Sequence, residues 1–303
     1  MNKIQWPNNH KFAFTIFDDT DFSTLTNTEP IYSYLDNIGI KCTKSIWSLD
    51  SSGKAKIGGD SIENKKYLEW ILKLKNQGFE ISLHNVKNTS SYRFETIKGI
   101  NNFKEKIGNY PKSFANHADC KDGIYWGDAR FSSFYRYLYS IIKYSNVNKF
   151  QGHIKNSKYF WGDICKDKIK YVRNFVFNDI NTLKQCPFMP YYDPLRPYVN
   201  YFFCSSNGAD VKRFNQLLSL RNQQKLEEEG GACIVYTHFG HEFYKNGVIN
   251  EETQKLLKIL SKKNGWFCTV SDLLDHIQIE NKVKHTISKE ERTYLERKWF
   301  FEK

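Results

Sequence analysis

The feature that most constrains this chain is an alternation. Short apolar runs rich in β-branched and aromatic residues recur along it, separated by polar segments and amphipathic stretches with helix punctuation. The strand-like runs are 11–17, 40–47, 79–84, 112–117, 149–153, 170–177, 199–205, 232–238 and 266–270. One helical stretch has Pro30 near its start and Gly39 past its end; others cover 63–77 before Gly78 and 91–107 before Gly108. A further one runs from Asn250, as N-cap, to Lys263 ahead of Gly265. Strands that alternate with helices pair in parallel through right-handed crossovers. The pattern predicts an α/β fold, a distorted (β/α) barrel of 7–8 parallel strands over residues 1–280. An open doubly wound sheet is the alternative, but no Gly-x-Gly-x-x-Gly follows the first strand. Over 281–303, the capping box Ser288 to Glu291 opens a last amphipathic helix, expected to pack on the barrel or on a partner, which leaves room for a homo-oligomer.

Composition narrows the class. With 40 % hydrophobic and 16 % aromatic residues the chain can build a large core, so disorder is not expected. No run reaches the ~20 apolar residues of a spanning helix, and no signal peptide is visible, so a cytoplasmic protein without a transmembrane segment is expected. Seven scattered cysteines without a Cys-x-x-Cys read as reduced, buried thiols and not as a zinc site. Lys and Arg number 45 against 33 Asp and Glu, a net charge of +12. That excess serves either a solvated basic surface or an anionic partner, such as a nucleotide- or lipid-linked sugar. Nucleic acid is not expected, because no dense basic run is interleaved with aromatics.

The chemistry gathers at strand ends. The first strand ends in Asp18-Asp19, the third in His84, the fourth in Asn116-His117 and that at 232–238 in His238. In a (β/α) barrel all these ends open on one mouth, so acids and imidazoles remote in sequence meet there. One carboxylate can then ligate a metal while its neighbour takes a proton from water; alternatively, Asp19 or Thr20 only caps a turn.

These residues resemble the motifs of the polysaccharide deacetylases, the family of chitin and peptidoglycan deacetylases. Thr15-Ile16-Phe17-Asp18-Asp19 is similar to their opening Thr-Phe-Asp-Asp-Gly. Gly39-Ile40-Lys41-Cys42-Thr43 resembles the phrase on the second strand, and Gly78-Phe79-Glu80-Ile81-Ser82-Leu83-His84 the run that holds the first metal histidine. Ile234-Val235-Tyr236-Thr237-His238 resembles the late Leu-x-His motif, so the likeness spans roughly 10–278. The resemblance implies a divalent metal, usually zinc, and removal of an acetyl or other acyl group from an amino sugar or polysaccharide precursor. It implies Asp18 as general base, Asp19 and His84 as metal ligands, and His238 as general acid.

The departures from the family are specific. Asn88 stands where the second metal histidine of His-x-x-x-His is expected, Thr20 replaces the glycine, and Asn116-His117-Ala118-Asp119 lacks the arginine and proline of the strand-four phrase. Three outcomes follow: His117 completes the site, Asn88 or a water completes it, or the metal is lost and the barrel binds glycans or acts as a scaffold. A glycoside hydrolase with Asp18 and either Asp163 or Glu242 is a further reading. For substrate contacts the candidates are Asn116, Trp126, Trp161, Asp163, Tyr191 and Tyr192, in the aromatic region 120–170 and the proline-rich region 184–198. Loop or core packing is the competing role for each. Asp163 and Arg173 are also candidates to support the acid or base, while His153 and His241 are expected to be structural and rim residues.

Overall fold

Phe12–Asp18 (β1) is buried at all seven positions. A strand with no polar face must be covered on both sides, as a barrel wall is by interior side chains and outer helices. The computed structural model describes residues 4–51, 55–118, 120–142, 148–282 and 284–302. β1 is followed around the barrel by Thr43–Ile46 (β2), Glu80–Leu83 (β3), Ser113–Phe114 (β4) and Tyr171–Phe177 (β5), each parallel to the last. A short excursion, Tyr191–Tyr192 (β6), leads to Tyr201–Asn207 (β7), which pairs parallel with β5. Ala232–Thr237 (β8) then pairs parallel with β7 and with β1 from Ala13 to Asp18. Seven parallel strands therefore close a barrel.

Helices Leu25–Asn37 (α1), Lys65–Asn76 (α2) and Arg93–Ile107 (α3) follow the first three strands. The connection after β4 holds Ser133–Ile142 (α4) and Gly162–Lys168 (α5), and Thr182–Gln185 (α6) follows β5. Val211–Leu217 (α7) and Leu220–Glu229 (α8) follow β7. After β8 come a hairpin, Tyr244–Lys245 (β9) with Val248–Ile249 (β10), then Glu251–Ser261 (α9). Gly265–Phe267 (β11) joins the N-terminal half of β1, and Val270–Asn281 (α10) follows it. Asn64, Asn250 and Thr269 cap α2, α9 and α10 through their side chains, and Gly108 ends α3 at a positive φ of 94°. All seven cysteines are buried and free.

Three sequence expectations change. Residues 149–153 are no strand: Gln151 N–H donates to Lys121 O at 2.6 Å and Gly152 N–H to Gly123 O at 3.0 Å, tying two loops together. A Cβ at Gly152 would lie 2.2 Å from Asp122 O, so the packing needs glycine here. Pro30 stands inside α1, not near its start, and Thr24 is the cap. The fourth strand ends at Phe114, which puts Asn116 and His117 in a loop; Asp119 lies outside the described residues.

The chain ends with His285–Thr286 (β12), paired with β6, and Lys289–Phe301 (α11), whose Ser288–Glu291 capping box is formed. α11 packs on the barrel. Arg292 Nη2 donates to Asp193 Oδ1 at 2.7 Å, and Arg196 binds the other oxygen of the same buried carboxylate. Burial opposes ionisation of Asp193, but the two arginines outweigh it and hold the carboxyl below its usual value. A depressed carboxyl contributes its stability in full above the unfolded value of ~4 and loses it as pH falls through the lower folded value. Thermal unfolding should therefore show this contribution intact at neutral pH and fading only below about pH 4. Asp193→Asn should lower stability by about 3 kcal/mol at neutral pH, because two buried guanidinium groups lose their counter-charge.

Candidate active site

Three aspartates crowd the end of β1, and the fold gives each a different set of main partners. Asp18 is the last strand residue and points into a closed environment. Lys44 Nζ lies 2.9 Å from Asp18 Oδ2, and both side chains are fully buried. Tyr32 Oη donates to Asp18 Oδ2 at 3.1 Å and Phe239 N–H to Oδ1 at 2.8 Å. An ion pair and two hydrogen bonds satisfy this carboxylate, so it ties β1 to β2, α1 and the segment after β8. Asp18, expected to take a proton from water, is fully buried among these three donors.

Asp19 continues the ladder by one residue, its N–H donating to Thr237 O at 2.8 Å. Its carboxylate meets the guanidinium of Arg173 on β5 as a two-pronged pair, at 2.9 Å from Nη1 and 2.5 Å from Nη2. Arg173 is only 3 % exposed and lies against the rings of Phe17 and Tyr236, so the fork is fixed by packing. Burial works against ionisation of Asp19, but Arg173, His84 and His238 outweigh it and hold its carboxyl below the usual value.

Asp21, two residues on, enters the mouth. Its Oδ1 lies 3.3 Å from His84 Nε2 and 3.3 Å from His117 Nε2, and its Oδ2 lies 3.4 Å from His238 Nε2. Burial raises the Asp21 carboxyl, yet His84 and His117 draw it well below the usual range. One ligand-capable atom from each of Asp21, His84 and His117 falls within a sphere where all are 4.8 Å or less apart.

Each imidazole is held from behind. His84 Nδ1–H donates to Ala115 O at 3.1 Å, which leaves the Nε2 lone pair facing Asp21. His117 is in a loop but not loosely held: its N–H donates to Asn85 Oδ1 at 2.7 Å, and Asn85 Nδ2 donates to Asp122 Oδ2 at 2.6 Å. Burial pushes the Asp122 carboxyl up to about 6. His238 Nδ1 donates to Ala209 O at 2.6 Å, and this ring, with 20 % of its side chain exposed, is the most open of the three.

Asp21 Oδ1 and His84 Nε2 are buried and make no hydrogen bond. A polar atom left so in a dry site is costly unless a group absent from the polypeptide satisfies it. Two imidazole nitrogens and one carboxylate oxygen form a donor set suited to zinc and similar divalent ions, with positions left for water and substrate. The residues present therefore fit a metal. Asn88 donates its amide nitrogen to Ile57 O at 2.6 Å, while its Oδ1 is buried without a hydrogen bond.

Other candidates are engaged elsewhere. Asn116 uses its amide at both ends on the Ile124 backbone, at 2.7 and 3.1 Å. Trp161 is 1 % exposed and donates to Asp122 O at 2.6 Å, so its ring is core and cannot stack on a sugar. Asp163 is clamped by Arg93 of α3 through two 2.7 Å bonds at the surface. Trp126 is half-buried under the Arg130 guanidinium, 4.2 Å away, and Tyr192 is half-buried beneath Lys166. Tyr191 is buried and its hydroxyl accepts from Asn174. His153 accepts from Tyr125 N–H, and burial pushes it down to about 4. His241 is exposed at the rim against Phe22, and Glu242 is exposed beside Lys245. A cavity of about 600 Å³ lined by Trp6, His10, Lys11 and Glu227 lies at the opposite end of β1 and gathers no such constellation.

The fold matches solved structures over nearly the whole length of the chain. A protein of Mycobacterium smegmatis assigned as a polysaccharide deacetylase superposes with a TM-score of 0.51 at 9 % identity, covering 95 % of this chain and 98 % of its own. A polysaccharide deacetylase assigned in Pseudomonas aeruginosa PAO1 gives 0.52 at 12 % identity over 92 % of this chain and 95 % of that one. This chain has the polysaccharide-deacetylase fold. The PuuE allantoinase shares it equally, with a TM-score of 0.52 at 12 % identity over 91 % and 93 % of the two chains. No family model and no curated protein sequence matches the chain. At such identities the likeness concerns the fold, and the chemistry must be argued from this chain's own side chains.

The residue that sequence reading missed is Asp21. Asp21 lies in the turn beyond β1, where strand alternation no longer applies, so its acidic character close to the strand end was the signal that could have marked it.

Proposed function

We propose that this chain is a metal-dependent hydrolase that removes an acyl group from an amino sugar or polysaccharide precursor. Asp21, His84 and His117 hold the metal, Asp19 is the general base and His238 the general acid. The observation that carries this reading is the convergence of Asp21 Oδ1 with the two Nε2 atoms, beside Asp19 and His238, at one mouth. Relative to the family pattern, base and ligand each move toward the C-terminus, from Asp18 and Asp19 to Asp19 and Asp21, and His117 takes the place of the missing histidine at Asn88.

A divalent cation in that site, with zinc the best match, supplies Lewis-acid polarisation of the acyl carbonyl and eases ionisation of water at neutral pH. Asp19 accepts the proton of the attacking water. Arg173 fixes the plane of that carboxylate and keeps it ionised, so the base is oriented before substrate arrives. His238 Nε2 stands 3.8 Å from Asp19 Oδ2 and delivers a proton to the departing amine or alcohol. Its Nδ1 bond to Ala209 O holds the ring in that aim.

The glycoside-hydrolase reading is less favoured, since Asp18 is closed in by Lys44, while Asp163 pairs with Arg93 and Glu242 with Lys245 at the surface. Calorimetric titration of the metal-stripped chain with zinc chloride is expected to show one site. The loaded chain is expected to release acetate from N-acetylated amino sugars. A chain that binds neither zinc nor cobalt nor manganese overturns the reading.

A further inference from the structure

α4 carries an apolar stripe that the fold does not cover. Phe134, Tyr137, Ile141 and Ile142 are 62 to 65 % exposed and recur at helical spacing along one face. The opposite face is the packed one: Tyr139 is buried and its ring meets Phe131, which also meets Trp299 of α11. The stripe continues onto the end of α11 through successive ring contacts, Phe134 to Tyr135, Tyr135 to Phe300 and Phe300 to Phe301, and Phe301 is 80 % exposed. Ordinary solvent-facing helices scatter apolar residues singly; a contiguous set on two adjoining elements marks an interaction surface.

The charges beside the stripe choose its occupant. α4 contains no acidic residue, and its exposed Arg136 is paired with the buried Asp128 at 2.8 Å, so the unpaired cations of the face lie on α11. On the last turns of α11, Arg297 is exposed and Lys298 half-exposed, while Glu296 is fully buried on Ser132. The chain as a whole carries +12. A second copy docking through this face would set one cationic rim against another. An anionic bilayer surface answers both properties: the apolar stripe enters the acyl boundary and the rim meets the headgroups. Among the described residues no helix is long and apolar enough to cross a membrane, so the contact is peripheral.

We propose that α4 and the end of α11 dock this chain on an anionic membrane surface. α4 belongs to the connection that leaves the C-terminal end of β4, where His117 stands. For a hydrolase docked in this way the substrate class becomes an acylated amino sugar carried on a lipid anchor. This substrate assignment rests on the hydrolase reading above; the docking itself does not.

The test is co-sedimentation with vesicles of phosphatidylcholine containing phosphatidylglycerol, against vesicles of phosphatidylcholine alone. The wild-type chain is expected to pellet with the anionic vesicles, more weakly in high salt and weakly with neutral ones. Ile141→Ser and Ile142→Ser change exposed side chains and leave the core intact, and each should weaken binding about tenfold or more. Asp21→Asn should bind vesicles like wild type, so loss of metal chemistry and loss of docking are separate outcomes. Equal binding of the serine variants and wild type overturns the proposal. So does a dimer that the serine variants dissociate in a chain that ignores vesicles, which would assign the stripe to a second copy.

Discussion

Asp21→Asn is expected to abolish stoichiometric zinc binding and to lower hydrolysis by roughly three to four orders of magnitude, because metal assistance is worth several kcal/mol in the transition state. The fold should survive it. Asp21 loses with its charge the pull of His84 and His117, which hold its carboxyl well below the usual range, so the metal-free variant should stay folded but unfold somewhat below the wild-type temperature. Asp18→Asn is the opposite case. It strands the fully buried Lys44 ammonium and should reduce stability by about 3 kcal/mol while zinc still titrates to one site. Calorimetry and thermal unfolding on the two variants separate ligand from scaffold. Zinc retained in Asp21→Asn and lost in a folded Asp18→Asn would reverse the assignment.

The second large effect belongs to the base. Asp19→Asn keeps the donor set of Asp21, His84 and His117, so zinc affinity should change little, while kcat falls by about 10² to 10⁴. The role of Arg173 is positional, and its signature differs. Arg173→Lys retains a cation but replaces a rigid two-pronged fork by a single flexible ammonium, so kcat should drop by about one order of magnitude with KM nearly unchanged. Loss of zinc in Asp19→Asn would return that carboxylate to the ligand set. Wild-type kcat in Arg173→Lys would remove the fork from catalysis.

Much of the architecture was legible because it depends on local pattern. β1, β5 and β8 are long, wholly or almost wholly buried strands, and their apolar runs announce them. The Ser288–Glu291 capping box is a short-range signature, and it forms as read. The run at 149–153 failed because its backbone bonds to a remote loop around Lys121, a partner no local window contains. Of the site, the three imidazoles that face Asp21 are the three that follow strands, His84, His117 and His238. Strand ends are readable in sequence, and the barrel then brings them to one rim.

The aspartates divide what sequence alone determined from what tertiary structure decided. The sequence determines that an acidic cluster terminates a buried strand and that histidines terminate others, because burial period and chain breaks are local properties. Which aspartate does what was decided by partners far along the chain: Lys44 from β2 closes over Asp18, Arg173 from β5 clamps Asp19 across 154 positions, and the residual carboxylate, Asp21, meets the imidazoles. Adjacent residues at the end of a strand point to opposite sides, so one position's shift changes which charge is buried with a counter-ion and which faces the mouth.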